Sequence, residues 1–332
     1  MIKATKTADL SRLDWLRLRQ TGIGGSDISS IMGINPYKNA YDLYCEKTSQ
    51  IADSNISEAA YWGVLLEDVV AKEYAKRNEV KVQRVNYLIR HEKHDWAIAN
   101  IDRAIVNKEI AGNVRIKDGK LTTDKLLEVK TASEYVKKNW GDEHTDQVPD
   151  HYNLQCQWYM GITKVYKCDL ALLLGGNKFK QYHIDFDEEL FEMMLEQAED
   201  FWINHVLAGV PPTATTLQNV RQKYPKVDID STLDLPSNDN QIDVIDTYFN
   251  LKDEEKQLQD RLAKAQVDLI ELVGNHEALA IDDEVILTYK NQKGRETFDK
   301  KTCLKSHPEL ANIFCEFTKT SQPTRVLRRL VA

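Results

Sequence analysis

The sequence predicts an α/β fold: a mixed central sheet flanked by helices, followed by a helical and mixed C-terminal extension. Three observations predict it. Between residues 58 and 78, Leu66, Val70 and Tyr74 (with Leu65 and Val69) repeat at helical spacing. From Val80 onward the period is that of strands. After residue 212 the composition turns polar before a new helical pattern begins. The order helix, strand, strand, strand, helix, strand is that of a mixed sheet with helices packed on it.

Each element has a local reason. DLSRLDWLRLRQ at 9–20 is an amphipathic helix, with Leu10, Leu13 and Leu16 or Leu18 on its inner side. TGIGGSD is a glycine-rich turn, and DISSIMG resumes helix as far as Gly33. Helices are expected over 40–48 and 58–78. Val80, Val82, Val85, Tyr87 and Ile89 mark strand material, as do Trp96, Ile98, Ile101, Ala104 and Val106. Residues 107–124 are polar and read as a hairpin loop, and KLLEVKT at 125–131 is a compact strand. A helix at about 148–160 takes Pro149 in its first turn. Strands follow at 165–174 and 178–186 around a Gly175-Gly176 turn. A helix from 187 to 207 is ended by Gly209 and Pro211-Pro212.

This makes residues 1–212 one domain, 213–240 a linker or extended arm, and 241–332 a C-terminal region. In the last, Val244, Tyr248, Leu251, Glu255, Leu258, Leu262, Ala265, Leu269 and Leu272 step by four and three, a heptad seam of about four repeats. EVILTYKN, FCEFTKT and TRVLRRLVA beyond it carry short strand signals.

Bulk properties narrow the function. At 332 residues, 42% hydrophobic and 29% charged, the chain has room for one large domain and a smaller appendage. No apolar run is long enough to span a bilayer, and MIKATKTADLSRLDW lacks the apolar core of a signal peptide, so neither membrane insertion nor export is expected. The cysteines at 45, 156, 168, 303 and 315 are scattered and odd in number. That argues against a disulfide framework, a zinc knuckle or an iron–sulfur cluster and fits a reducing interior, with most of them in the core. The net charge of −8 counsels against nucleic acid as a partner without excluding it, since the field that matters is local.

Charged residues embedded in apolar strands are costly unless paired or metal-bound. Here two such segments carry them: Asp102 in AIANIDRAIV, and Glu128 with Lys130 in LLEVKT. Residues i and i+2 of a strand share a face, so Glu128 and Lys130 point into one cleft, and Asp102 on a neighbouring strand can meet Glu128 across the sheet. Glu67 lies on the 58–78 helix. Oxygen ligands without His or Cys favour Mg²⁺ over zinc. Lys130 is suited to orient or help deprotonate a water and to balance charge on a phosphorane. Singly, each signal has a plainer reading: E-x-K as a solvated face or salt bridge, Asp102–Arg103 as an edge-strand ion pair.

The spaced set resembles the PD-(D/E)xK nuclease superfamily, and more narrowly the YqaJ-type viral recombinase group that includes phage lambda exonuclease. The most specific block is Arg19-Gln20-Thr21-Gly22-Ile23-Gly24-Gly25-Ser26-Asp27-Ile28, with Ile31-Met32-Gly33 and Asn35-Pro36-Tyr37 after it. Gly63-Val64-Leu65-Leu66-Glu67, Ile101-Asp102-Arg103, Leu127-Glu128-Val129-Lys130-Thr131 and Tyr152-Asn153-Leu154-Gln155-Cys156-Gln157-Trp158-Tyr159 follow in the family's order. Ile101 stands where the superfamily name has proline. The likeness covers roughly residues 15–205; nothing after about 212 matches by motif.

The resemblance implies a PD-(D/E)xK restriction-endonuclease-like core. It makes Asp102 and Glu128 metal ligands, helped by the Val129 carbonyl, and Lys130 the catalytic lysine. Glu67 serves near the metal directly or through water. Gln155 sits beside the site, and Arg19 and Ser26 hold the DNA's terminal phosphate. An Arg fork and a hydroxyl beside glycine-freed amides suit a phosphate. Alternatively, Gly22, Gly24 and Gly25 form a tight turn and Ser26 caps the helix starting at Asp27. Trp62, Trp140 and Trp158 are candidates for stacking on bases, with core packing favoured for Trp62 and Trp158.

The implied function is a Mg²⁺-dependent exonuclease, Mn²⁺ substituting, that digests one strand of linear double-stranded DNA from 5′ ends. The 3′ tails then pass to a single-strand annealing protein for recombination. Implied too are a possible homo-oligomeric ring and a phage or prophage protein in the cytoplasm of a bacterial host. The C-terminal heptad helix is expected to mediate oligomerisation or contact the annealing partner. Other readings are a structure-specific endonuclease of the same fold, a non-catalytic DNA-binding subunit, or a metal phosphohydrolase of small nucleotides.

Overall fold

Strand alternation in LLEVKTA determines the architecture, because that segment lies at the centre of the main sheet and packs a different layer on each face. The computed structural model describes residues 3–49, 57–226, 231–236 and 241–319. The chain divides into two compact units, Met1–Ile229 and Asp230–Ala332.

The first unit opens with β1 (Lys3–Lys6), α1 (Arg12–Gln20), α2 (Gly25–Ile31), α3 (Ala40–Thr48) and α4 (Glu58–Arg77). Strands β2 (Val82–Arg84), β3 (Tyr87–Arg90), β4 (Ile98–Asn100) and β5 (Arg103–Ile105) follow, then a small hairpin of β6 (Ile116–Lys117) and β7 (Lys120–Leu121). Next come β8 (Leu126–Ala132), α5 (Asp150–Thr163), β9 (Lys167–Leu174), β10 (Lys178–Asp185), α6 (Glu188–Asp200) with a π-helical continuation Phe201–Leu207, and α7 (Leu217–Lys223). Caps begin three of the helices: Ser11, Asn39 and Ser57 side chains each accept an amide of the first turn of α1, α3 and α4.

The main sheet is mixed, in the order β10-β9-β8-β5-β2, and only the β8–β9 pair is parallel. Parallel neighbours need a crossover, and α5 supplies it. A smaller antiparallel sheet has the order β1-β3-β4. On one face of the main sheet Leu127, Val129 and Ala171 pack on Val70, Ala71 and Tyr74 of α4. On the other, Leu126, Leu170 and Leu172 join the larger core around Trp158, Met160 and Phe191. Glu128 and Lys130, alternating with Leu127 and Val129, face the α5 side.

The sequence reading needs correction in several places. Strand material at 80–89 is split between two sheets, and β1 carried no apolar signal because all four of its residues are exposed. Leu10 and Leu13 are 38% and 42% exposed, so they are not an inner face. The range 213–240 contains α7. There Asn219 is buried, accepting from Asn39 Nδ2 and donating to Asp42 Oδ1, both at 2.7 Å. Of the cysteines, all free, only Cys156 and Cys168 are buried. Among the described residues no helix is long and apolar enough to cross a membrane.

The second unit holds α8 (Ile242–Val273), the hairpin of β11 (Ala278–Ile281) and β12 (Glu284–Thr288), α9 (Lys300–Ser306) and α10 (Ala311–Glu316). Asp282 and Asp283 turn the hairpin with φ of 48° and 65°, the left-handed pair that such two-residue loops require. The described part of FCEFTKT, residues 314–319, forms no strand: 314–316 end α10 and 317–319 follow it. TRVLRRLVA lies outside the described residues.

The glycine-rich segment is a close approach and not a turn. Ile23 bridges Ala97 beside β4, donating to the Trp96 carbonyl at 2.7 Å and accepting from Ile98 at 2.9 Å. A Cβ on Gly22 would fall 2.2 Å from that carbonyl oxygen. Gly22→Ala is therefore expected to cost about 2–3 kcal/mol, the upper range of overpacking, because backbone rather than a flexible side chain blocks it. A lowered urea midpoint with unchanged m-value checks this.

Candidate functional site

A cavity of about 890 Å³ opens where α1, α2, α4, β8 and α5 meet. Asp102, Glu128, Val129, Lys130, Glu67, Arg19, Ser26 and Gln155 all line it, so the residues singled out from sequence are brought to one place. The mechanism of convergence is topological. Arg103 of β5 faces Leu127 of β8, which sets Asp102 beside the next residues of β8. The Val129 amide donates to Asp102 Oδ2 at 3.3 Å. The crossover helix α5 then lays Gln155 over the same strand.

Glu128 is 1% exposed. Its Oε1 accepts from Lys130 Nζ at 2.6 Å and from Gln155 Nε2 at 2.7 Å. Its Oε2 is buried without a hydrogen-bond partner. Gln155 also donates to Tyr159 Oη at 3.0 Å, and the Lys130 ammonium lies over the Tyr152 ring, 5.0 Å from its centre. Burial, and then the neighbouring Glu128, push the Asp102 carboxyl well above the usual carboxylate range. Burial also raises Glu128, against the pull of Lys130. Lys130 is partly buried, but the carboxylates of Glu128 and Asp102 outweigh that and hold its ammonium more firmly protonated than an ordinary lysine.

Glu67 stands apart from this pair. It shares the cavity wall, but its carboxylate bonds to Arg103 Nη1. Arg103, 4% exposed, also reaches Asp68 at 3.3 Å and donates to the Asp102 carbonyl at 2.9 Å. The alternative of an Asp102–Arg103 side-chain pair is thus not what forms. Among the described residues no three His, Cys, Asp or Glu side chains are grouped to hold a metal ion. What lies together is the pair of carboxylates of Asp102 and Glu128, a donor set that suits a cation completing its sphere with water and phosphate oxygens. The unpartnered Oε2 of Glu128 and two crowded carboxyls that hold their protons more tightly than usual fit such a cation.

The second cluster rests on Asp27. This residue is fully buried, and Asp27 Oδ2 accepts from Lys47 Nζ at 2.7 Å and from the Gly24 amide at 2.9 Å. Arg19 and Lys38 approach Asp27 Oδ1 at 3.8 and 3.7 Å. Lys47, itself buried, also donates to the Arg19 carbonyl at 3.1 Å. Arg19 lies over Trp15 and donates to Ser26 Oγ at 2.8 Å. Ser26 is not the cap of α2: Gly24 is, with Asp27 returning to the cap amide. Gly25 leaves room for Tyr159, whose ring would be 2.6 Å from an added Cβ.

Sequence reasoning missed Tyr152, Tyr159, Asp27 and Lys47. The spacing from Gln155 by three back and four forward, one face of α5, was a usable signal for the tyrosines. None of the local patterns pointed to Lys47. Of the tryptophans, Trp140 and Trp158 are core residues, whereas Trp62 is 50% exposed and donates to Glu58.

Burial alone would raise the pKa of Asp27, but Lys47, Arg19 and Lys38 together outweigh it and hold the carboxyl far below its usual range. A group depressed in the folded state contributes stability that is complete above its unfolded value and lost as pH falls through and below it. Stability is expected to decline below about pH 4, and Asp27→Asn to flatten that acid limb, read by denaturant titrations at several pH values.

Residues 14–166 match the YqaJ-like viral recombinase domain. YqaJ of Bacillus subtilis (strain 168) is 35% identical over 261 residues, 76% of each chain. Protein D345L of African swine fever virus (strain Badajoz 1971 Vero-adapted) is 36% identical over 69 residues, 20% of each. An alkaline exonuclease from Laribacter hongkongensis, LHK-Exo, superposes with a TM-score of 0.45 and 16% identity over 63% of this chain and 96% of that one. The length and identity of the Bacillus match, together with the matching domain, show that the chain belongs to the YqaJ-like viral recombinase family.

Proposed function

We propose that the protein is a divalent-metal-dependent deoxyribonuclease that digests one strand of linear duplex DNA from its 5′ ends. One observation carries the reading. A buried glutamate with a free oxygen, Glu128, stands beside Asp102 and a firmly protonated Lys130 at the wall of a large cavity that Arg19 and Ser26 also line.

Asp102, Glu128 and the Val129 carbonyl would hold Mg²⁺ or Mn²⁺, with Glu67 acting through water while Arg103 keeps its carboxylate. The ion supplies polarisation of a phosphoryl oxygen and a lowered pKa for a bound water. Glu128 fixes the Lys130 ammonium through a 2.6 Å bond. Held there, Lys130 would orient the attacking water and offset charge on the phosphorane. Gln155 donates to the same Oε1 of Glu128, so the carboxylate is held by the crossover helix as well as by its own strand. Arg19 and the Ser26 hydroxyl offer donors to a terminal 5′ phosphate. Handing the 3′ strand to a single-strand annealing protein, in the cytoplasm of a bacterial host, completes the proposal at the level of the family.

Asp102→Ala and Glu128→Gln are each expected to lower turnover of linear duplex by about a hundredfold or more at saturating Mg²⁺, since each loses a ligand worth several kcal/mol of charge stabilisation. Chelation should abolish activity in the parent. Retained activity in Glu128→Gln would refute the metal assignment, and cleavage of a covalently closed circle would favour an endonuclease.

Arg19→Ala should erase any preference for 5′-phosphorylated over 5′-hydroxyl ends. Competition between the two substrates, labelled differently, reads that ratio independently of the overall rate.

A further inference from the structure

The heptad seam of α8 lies uncovered in the C-terminal unit. Val244, Leu251, Leu258, Leu262 and Leu272 are between 58% and 70% exposed, and Val273 is the one buried residue of the helix among those described. An apolar stripe of this length with alternating four and three spacing is shaped to take another helix.

Size and charge select which helix, and its direction. The a positions are Tyr248, Glu255, Leu262 and Leu269; the d positions are Val244, Leu251, Leu258, Ala265 and Leu272. In a parallel self-pair every residue faces its own copy: tyrosine against tyrosine, alanine against alanine, and Glu255 against Glu255. In an antiparallel pair a faces d. The register that sets Leu262 opposite Leu251 also sets Tyr248 opposite Ala265 and Leu269 opposite Val244, so the largest seam residue meets the smallest. Glu255 then faces Leu258 and keeps its bond from Lys252 Nζ, 2.7 Å, at the edge of the seam.

The flanking charges point to the same register. It brings Glu254 against Arg261 of the second copy, twice by symmetry. Neither has an opposite charge at helical spacing in its own helix. Glu254 has Asn250, Leu251, Gln257 and Leu258 three and four residues away, and Arg261 has Gln257, Leu258, Lys264 and Ala265. Sliding by one heptad places Arg261 against Arg261, or Glu254 against Glu254. A slide of two heptads, pairing Arg261 with Asp268, leaves Val244, Tyr248 and Leu251 uncovered.

We propose that α8 pairs with α8 of a second copy of this chain, as an antiparallel two-stranded coiled coil in which Tyr248 packs on Ala265 and Glu254 meets Arg261. This stands independently of the nuclease reading, since it uses no residue of the cavity.

Sedimentation equilibrium on the full chain tests it, with far-UV circular dichroism showing that helix content is kept. The parent should self-associate in the micromolar range. Arg261→Glu and Glu254→Arg should each weaken association by about tenfold or more, and the double exchange should restore it to within about threefold. A parent that stays monomeric at about a hundredfold higher concentration overturns the proposal. So does association indifferent to Arg261→Glu, because a parallel pair sets Arg261 against Gln266 and an interface elsewhere does not involve it. Failure of the double exchange to rescue also overturns the register.

Discussion

Everything in the cavity is arranged around the buried carboxylate of Glu128. One of its oxygens is held by an ammonium and an amide, while the other has no partner. Burying such a group without compensation is expensive, and half of the compensation is visible: Lys130 from the same strand face and Gln155 from the crossover helix. The unfilled half is what the proposed divalent cation would satisfy. Because Asp102 is pressed against the same strand by the Val129 amide, any cation drawn to Glu128 meets a second carboxylate.

Asp27 plays the corresponding part for the other wall. It collects Lys47, Arg19 and Lys38 and caps α2 through Gly24, so one buried charge positions both the guanidinium and the helix start that face the cavity. The helix α3 that carries Lys47 is itself tied at its first turn to Asn219 of α7. Residues outside the matched domain, 14–166, thus brace residues inside it.

Much of this was legible in the sequence, and the reasons differ by element. Strand alternation put Glu128 and Lys130 on one face, since the period of two leaves no other choice. The order of the blocks led to Arg19, Ser26 and Gln155. What could not be read were the partnerships set by tertiary packing. Arg103 claims Glu67, Lys47 reaches Asp27 from twenty residues away, and Trp62 stays at the surface. The glycines were legible as glycines but not as a close approach to Trp96, because sequence shows the missing side chain and not the carbonyl that needs its space. FCEFTKT alternates like a strand, yet six residues ending at Glu316 wind into a helix, a length at which periodicity does not discriminate.

The sheet order also has a consequence for the chain as it is made. β8 lies between β5, synthesised before it, and β9, synthesised after α5. A nascent polypeptide that has not yet released Lys167–Leu174 holds LLEVKTA as an open edge, without its parallel neighbour. The pocket around Glu128 therefore needs more than half the polypeptide to have emerged from the ribosome, and a product terminated before Lys167 lacks the strand that flanks it.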